Sequence, residues 1–284
     1  MDIPFLEAIQ KGGLVGDGAM GNLLYERGVF VNRNFDEINL AQPELVYKIH
    51  REYLLAGAHL IETNTYGANR IRLNRAGIGD KTAAINEAGV DIAKRAVDDA
   101  AYIAGSIGPT GLTPSELRRT EKQVIEAYTE QATILADKGV DLLIVETFYH
   151  PEELRLAVQA ARHISKLPIV AQIALDDEGK CMDGTEPADL AKEIIEWGAN
   201  VVGANCNGGP GLIFDFVTKM VEAGAPVCTF PNAGRPQRVE DRQIYLATPE
   251  NFGVYARRLY KAGVKLVGGC CGTQPDHIKR VASA

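Results

Sequence analysis

Cys206, Cys270 and Cys271 are the residues of this chain whose type and spacing could do chemistry. They lie in Gly203-Ala204-Asn205-Cys206-Asn207-Gly208-Gly209 and in Gly268-Gly269-Cys270-Cys271-Gly272. Each stretch follows a short apolar run that reads as a strand. Three sulfurs gathered at strand ends make a metal site with one position open, as catalytic rather than closed structural zinc sites do. Neighbouring side chains of a regular strand point to opposite faces. Cys270 and Cys271 can therefore share an ion only if the backbone turns, which glycines at 268, 269 and 272 permit. The blander readings are three small buried hydrophobes or a strained Cys270–Cys271 disulfide, which a reducing compartment would open. Cys181, in a polar loop, and Cys228, inside a strand, read as bystanders. His150 reads as a loop residue, so no fourth cysteine or histidine closes the site.

The donor set narrows the reaction. Zinc with three thiolates carries a net charge of about −1, so a water on it would be a poor acid and hydrolysis is the weaker reading. A substrate thiol fits better: a free thiol ionises near pH ~8.5, whereas a coordinated one loses its proton outright. The resulting nucleophile suits attack on an activated methyl group.

Eight short aliphatic runs could place such residues at one rim. They are Leu14–Gly16, Ala58–Ile61, Tyr102–Ala104, Asp141–Val145, Pro168–Ala171, Asn200–Gly203, Pro226–Cys228 and Val264–Val267. Between them, Glu44–Leu55, Lys122–Leu135, Glu152–His163, Ala188–Trp197 and Pro249–Tyr260 carry helical periodicity. Gly57, Gly139, Gly198 and Gly263 stand where helices must stop before the next strand. Pro4–Lys11 reads as a short helix capping a barrel floor, and Pro275–Ser283 as a final helix. Eight such units predict an α/β, single-domain (β/α)8 TIM barrel over residues 1–284, with its chemistry at the C-terminal ends of the strands. The other fold weighed, an open doubly wound sheet, lacks its phosphate-binding glycine pattern. Strand ends then bring Gly16–Gly21, Glu62–Gly67, Gly105–Pro109, Glu146–Phe148, Asn205–Asn207, Pro231–Gly234 and Cys270–Cys271 to one mouth.

The composition bounds the partners. The chain has 284 residues, 46% of them hydrophobic, and a net charge of −7. That balance argues against a non-specific nucleic-acid binder. No apolar run approaches the roughly 18 residues of a membrane span, and Met1-Asp2-Ile3-Pro4 is unlike a signal peptide. Five cysteines are too few for a disulfide scaffold, so a cytoplasmic protein is expected.

The residues resemble the homocysteine S-methyltransferase family. The homocysteine-binding module of cobalamin-dependent methionine synthase belongs to it, as do the betaine and S-methylmethionine homocysteine methyltransferases. The resemblance rests on Gly16-Asp17-Gly18-Ala19-Met20-Gly21, on Glu62-Thr63-Asn64-Thr65-Tyr66-Gly67-Ala68-Asn69, and on the two cysteine motifs. It implies a (β/α)8 fold, zinc on Cys206, Cys270 and Cys271, and homocysteine sulfur at the fourth position. It also implies that Asp17 and Glu146 bind the substrate ammonium. Residue chemistry agrees, because an ammonium needs carboxylates and a carboxylate can use the backbone N–H groups of the Gly18-Ala19-Met20 turn. Asn232, on the strand between the cysteine strands, could offer its amide oxygen to the open zinc position. Tyr66 and Asn205 could line the pocket. The stretch through Asn64–Arg70 looks closer to the methionine-synthase module, whose methyl group comes from methylcobalamin on another domain or protein, than to the betaine enzymes. Betaine or S-methylmethionine is the alternative donor, a non-catalytic zinc or thiol-binding module is the alternative class, and the chain could be one module of a longer protein.

Overall fold

The computed structural model describes residues 3–30, 32–206, 208–239 and 242–284. Asn207 of the first cysteine motif and the first two residues of the N-terminal reading lie outside the described residues. Eight parallel strands build the sheet: β1 (Leu14–Val15), β2 (Leu60–Glu62), β3 (Tyr102–Ile107), β4 (Leu142–Phe148), β5 (Ile169–Ala174), β6 (Val201–Asn205), β7 (Val227–Phe230) and, as the eighth barrel strand, β10 (Leu266–Val267). Their spatial order is β1-β10-β7-β6-β5-β4-β3-β2. A parallel bridge between Gly16 and Leu60 joins the two ends, and His59 N donates to Val15 O at 2.8 Å. The sheet therefore closes as the expected (β/α)8 barrel. An antiparallel hairpin, β8 (Gln237–Val239) with β9 (Arg242–Ile244), is inserted after β7.

Continuous apolar strands are what burial on both faces demands. Their outward residues pack under the helices, while Leu14, Leu60, Tyr102, Leu142, Ile144, Val170, Val201 and Leu266 fill the barrel interior. Helix α1 (Phe5–Lys11) adds Phe5 and Ile9 to that inner cluster and so plugs the floor, as expected. The anticipated stop glycines all take positive φ: 100° at Gly57, 77° at Gly139, 115° at Gly198 and 101° at Gly263. The five periodic segments are helices Pro43–Leu55, Glu121–Asp137, Pro151–Ile164, Pro187–Glu196 and Pro249–Lys261. Two further long helices, Thr82–Val97 and Pro210–Val221, cover the outer wall.

Above the apolar floor the interior turns polar. Glu62, Ser106, Glu146, Gln172 and Asn205 lie within the last three residues of their strands, and Ser106, Gln172 and Asn205 are fully or almost fully buried. Phe230 interrupts this layer on one side. A side chain at Gly16 or Gly268 would overlap its ring, so β1 and β10 both need glycine just past their ends.

Candidate functional site

The last residues of β7 tie the two cysteine loops together. Cys206 N donates to Phe230 O at 3.0 Å, Cys270 N to Pro231 O at 2.8 Å, and Ala233 N to Cys271 O at 2.9 Å. One strand end thus sets the height of all three cysteines. Cys206 takes φ of 60°, which turns the chain out of β6 immediately after Asn205. Non-glycine residues rarely adopt that conformation, and it is worth a functional question wherever it occurs. On the other loop, Thr273 N donates to Cys270 O at 3.1 Å, closing a turn whose third residue, Gly272, has φ of 78°. Glycine is what a type II turn asks for at that place. Gly268 and Gly269 do not take left-handed angles. They are small because Phe230 and Thr273 press on them, so only Gly272 plays the backbone part expected of all three.

The result is a triangle of sulfurs. The Sγ atoms of Cys206, Cys270 and Cys271 all lie within 4.8 Å of one another. Cys270 and Cys271 Sγ are 3.9 Å apart and unbonded. A tetrahedral ion with bonds of about 2.3 Å holds its sulfurs about 3.8 Å apart, so the spacing fits zinc. The electrostatics ask for a cation as well. A hydrogen bond with Cys206 is the main reason that Cys270 is held well above the usual thiol range and that Cys271 is pushed up to about 12. Three crowded thiols resist ionising together unless a positive charge sits among them. Tyr245, beyond the hairpin, packs against Gly272 and hydrogen-bonds Cys271. Cys181 and Cys228 are buried outside this triangle.

Asn232 N donates to Gly208 O at 3.1 Å, which holds its backbone against the loop that follows Cys206. The residue is 3% exposed, and its Oδ1 is buried with no hydrogen-bond partner. A buried amide oxygen without a donor is costly, and an electron-poor ligand nearby would repay it.

An acidic corner adjoins the sulfurs. Asp17 follows β1, Glu62 ends β2 and Glu146 lies near the end of β4. Asp17 Oδ2 accepts from Glu62 N at 3.0 Å, while Oδ1 is buried and unpartnered. Glu146 Oε1 accepts from Ser106 Oγ at 2.5 Å and Oε2 from Asn205 Nδ2 at 3.3 Å. Burial is the main cause that lifts all three carboxyls, with mutual repulsion added for Asp17 and Glu62. Glu146 rises to about 7, and the Cys206 thiol contributes to that rise. Asp17 and Glu146 are therefore brought together beside the sulfurs, as expected. Glu62 belongs with them. It was visible only as one of several strand-end residues, and nothing in the sequence singled it out.

The Gly18-Ala19-Met20 turn is partly committed. Ala19 N donates to Thr273 Oγ1 at 3.1 Å, and Ala19 O accepts from Tyr53 OH at 2.9 Å. Met20 opens the short helix Met20–Glu26. Burial is the main cause that raises the Tyr66 hydroxyl well above the usual range, with smaller contributions from Glu146 and from the sulfurs of Cys206 and Cys270, which places it near both clusters.

Residues 14–284 match the family model described as homocysteine S-methyltransferase. The chain belongs to the homocysteine S-methyltransferase family. It is 34% identical over 306 residues to a methionine synthase of Mycobacterium leprae, a match that covers 100% of this chain and 25% of that protein. The chain thus spans about a quarter of the length of that relative. It is 32% identical over 309 residues to betaine–homocysteine S-methyltransferase 1 of Danio rerio, covering 98% of this chain and 74% of that one. Among solved structures, the oxidized form of the homocysteine methyltransferase MmuM from Escherichia coli superposes with a TM-score of 0.81 at 23% identity, covering 98% of each chain. That likeness supports the barrel fold. No helix among the described residues is long and apolar enough to cross a membrane.

Proposed function

We propose that the protein is a zinc-dependent homocysteine S-methyltransferase in which Cys206, Cys270 and Cys271 hold the metal. The observation that carries this reading is the triangle of Sγ atoms within 4.8 Å, opening beside buried carboxyls. Zinc bound there supplies the acidity that lets a substrate thiol react as a thiolate at neutral pH.

The protein's own groups do the rest. Asp17, through its unpartnered Oδ1, and Glu146 receive the homocysteine ammonium. With Ala19 N committed to Thr273, Gly18 and Met20 offer the backbone N–H groups left for the substrate carboxylate. Asn232 Oδ1, buried without a partner, would hold the open zinc position when substrate is absent. Tyr66 helps keep water from the reacting sulfur.

For the donor, we favour a methyl group from methylcobalamin carried on another domain or protein. The match through Asn64–Arg70 and the likeness to methionine synthases support this. The near-complete alignment with a betaine-dependent relative supports a second reading, in which betaine or S-methylmethionine serves directly. Five free cysteines suit a cytoplasmic setting.

Incubation of the zinc-loaded protein with homocysteine and, separately, methylcobalamin, S-methylmethionine and betaine tests the reading. Methionine from one of the three identifies the donor. Tight zinc with no methionine from any of them would favour the non-catalytic binding module. A Cys271→Ser protein with normal zinc content and turnover would overturn the ligand assignment.

A further inference from the structure

Three carboxyls meet in the acidic corner, where the proposed function uses two. An ammonium has three N–H donors. Among the corner's oxygens, Asp17 Oδ1 and Glu62 Oε1 are buried with no partner, and Asp17 is only 3% exposed. Glu146 already accepts from Ser106 and Asn205. The groups that face Glu62 are Asp17 beyond β1, Glu146 on β4 and Cys228 on β7, and all are acids. Three carboxylates this close cannot all ionise in a low-dielectric corner without a cation. Ser106 and Asn205 donate to Glu146 and no donor reaches Glu62 Oε1, so of this hydrogen-bonded pair Glu146 is the better-supported carboxylate and Glu62 keeps the proton.

We propose that Glu62 is the third ligand of the substrate ammonium, protonated in the free enzyme and ionised when a primary ammonium binds. The proton leaves Glu62 for solvent, and Glu62 Oε1 accepts the third ammonium N–H. No other bond is made or broken. The corner then discriminates a primary ammonium from a substrate lacking one, and it couples that discrimination to proton release. This inference rests on the reading of Asp17 and Glu146 as ammonium ligands.

The test compares L-homocysteine with 4-mercaptobutanoate, which keeps the thiol and the carboxylate and lacks the amine. Binding to the zinc-loaded protein is followed by calorimetry at pH 7 in two buffers of different ionisation enthalpy. Both compounds release the thiol proton, so their difference isolates the acidic corner. Wild type should release about one proton more with homocysteine. In Glu62→Gln that excess should shrink to what Asp17 and Glu146 release by themselves, and the preference for homocysteine should fall roughly tenfold, the worth of one charge-assisted hydrogen bond. An excess and a preference that persist unchanged in Glu62→Gln would overturn the assignment of Glu62 while leaving Asp17 and Glu146 in place. Equal affinity and equal proton release for both compounds in wild type would overturn the ammonium site as a whole. If neither compound bound, the substrate reading would fall with it. Should the Gln variant not fold, the wild-type proton count decides by itself: no excess overturns the proposal.

Discussion

Asn205 and Thr147 hold each other across the barrel mouth. Asn205 Nδ2 donates to Thr147 Oγ1 at 2.7 Å, and Thr147 N donates back to Asn205 Oδ1 at 3.0 Å. Thr147 needs the help. Its φ of 62° is left-handed, a conformation that costs a β-branched residue about 1–3 kcal/mol. The register of β4 against β5 shifts between Val145 and Phe148, as a bulge requires, and bulges re-aim side chains. Here the neighbour of the bulged residue is Glu146, whose Oε2 the same asparagine reaches. Asn205 also immediately precedes Cys206, so one amide links the acidic corner to the sulfur triangle.

Asn205→Ala should therefore cost more than an ordinary buried truncation. It leaves the Thr147 N–H without a partner and takes one donor each from the Thr147 hydroxyl and from Glu146 Oε2, a loss of about 2–4 kcal/mol in denaturant unfolding. In turnover, KM for homocysteine should rise more than kcat falls, because the ammonium site loses its alignment. At 147 itself, glycine should be tolerated better than alanine by about 1 kcal/mol, since only the backbone angle distinguishes them. Equal stabilities for the two variants would refute the strain.

Metal removal gives a thiol count. Cys181 and Cys228 are buried at 3% and 0% exposure, while Cys206, Cys270 and Cys271 reach the mouth. After a strong chelator, the folded protein should react with about three equivalents of a disulfide reagent, and restoring zinc should protect them, because a thiolate held by metal is a poor nucleophile toward the reagent. Two reactive thiols, or five, in folded zinc-free protein would contradict the burial pattern.

The barrel was legible because eight doubly buried parallel strands must be continuous apolar runs, and because helices ended at glycines that all take positive φ. Helices Thr82–Val97 and Pro210–Val221 gave weaker signals. The first presents Ala and Gly where larger residues would mark a stripe, with Gly89 pressed against Thr65 and Asn39. The second, PGLIFDFVTKMV, is apolar on too many sides to show a period. The sulfur triangle was legible from its residue types and glycine setting. Glu62 was not, because a strand-end acid looks the same whether it meets solvent or two other carboxyls. The Asn205–Thr147 pair was not legible either, since no local signal predicts a left-handed threonine. Gly268 and Gly269 looked like backbone hinges, but the side chains pressing on them come from other parts of the chain.

The acidic corner should make stability fall as pH rises. Burial lifts the folded Glu146 carboxyl from 4.5 to about 7. The folded state then keeps a proton that the unfolded state loses, so this group's contribution is fully present below about pH 4.5 and lost as pH climbs through about 7. Asp17 and Glu62 are raised too and act in the same direction. Glu146→Gln stays neutral throughout. In zinc-free, substrate-free protein, its unfolding free energy relative to wild type should gain about 3 kcal/mol between pH 4.5 and 7.5. A difference that is flat across that range would mean Glu146 is ionised in the free protein.

Phe230 offers a test of how the floor supports the sulfurs. Its ring occupies the space a side chain at Gly268 would need, two residues before Cys270. Gly268→Ala must push either the ring or the β10 backbone, and overpacking of this kind costs about 1–3 kcal/mol. If the backbone yields, Cys270 moves with it, so zinc affinity should fall together with stability. Phe230→Ala alone opens a cavity and should cost about 3–5 kcal/mol. In the double variant the new methyl has room, so the combined loss should be smaller than the sum by about 1–3 kcal/mol. Zinc affinity should recover toward that of Phe230→Ala alone. Strict additivity, in stability and in zinc affinity alike, would show that Gly268 answers to something other than the ring of Phe230.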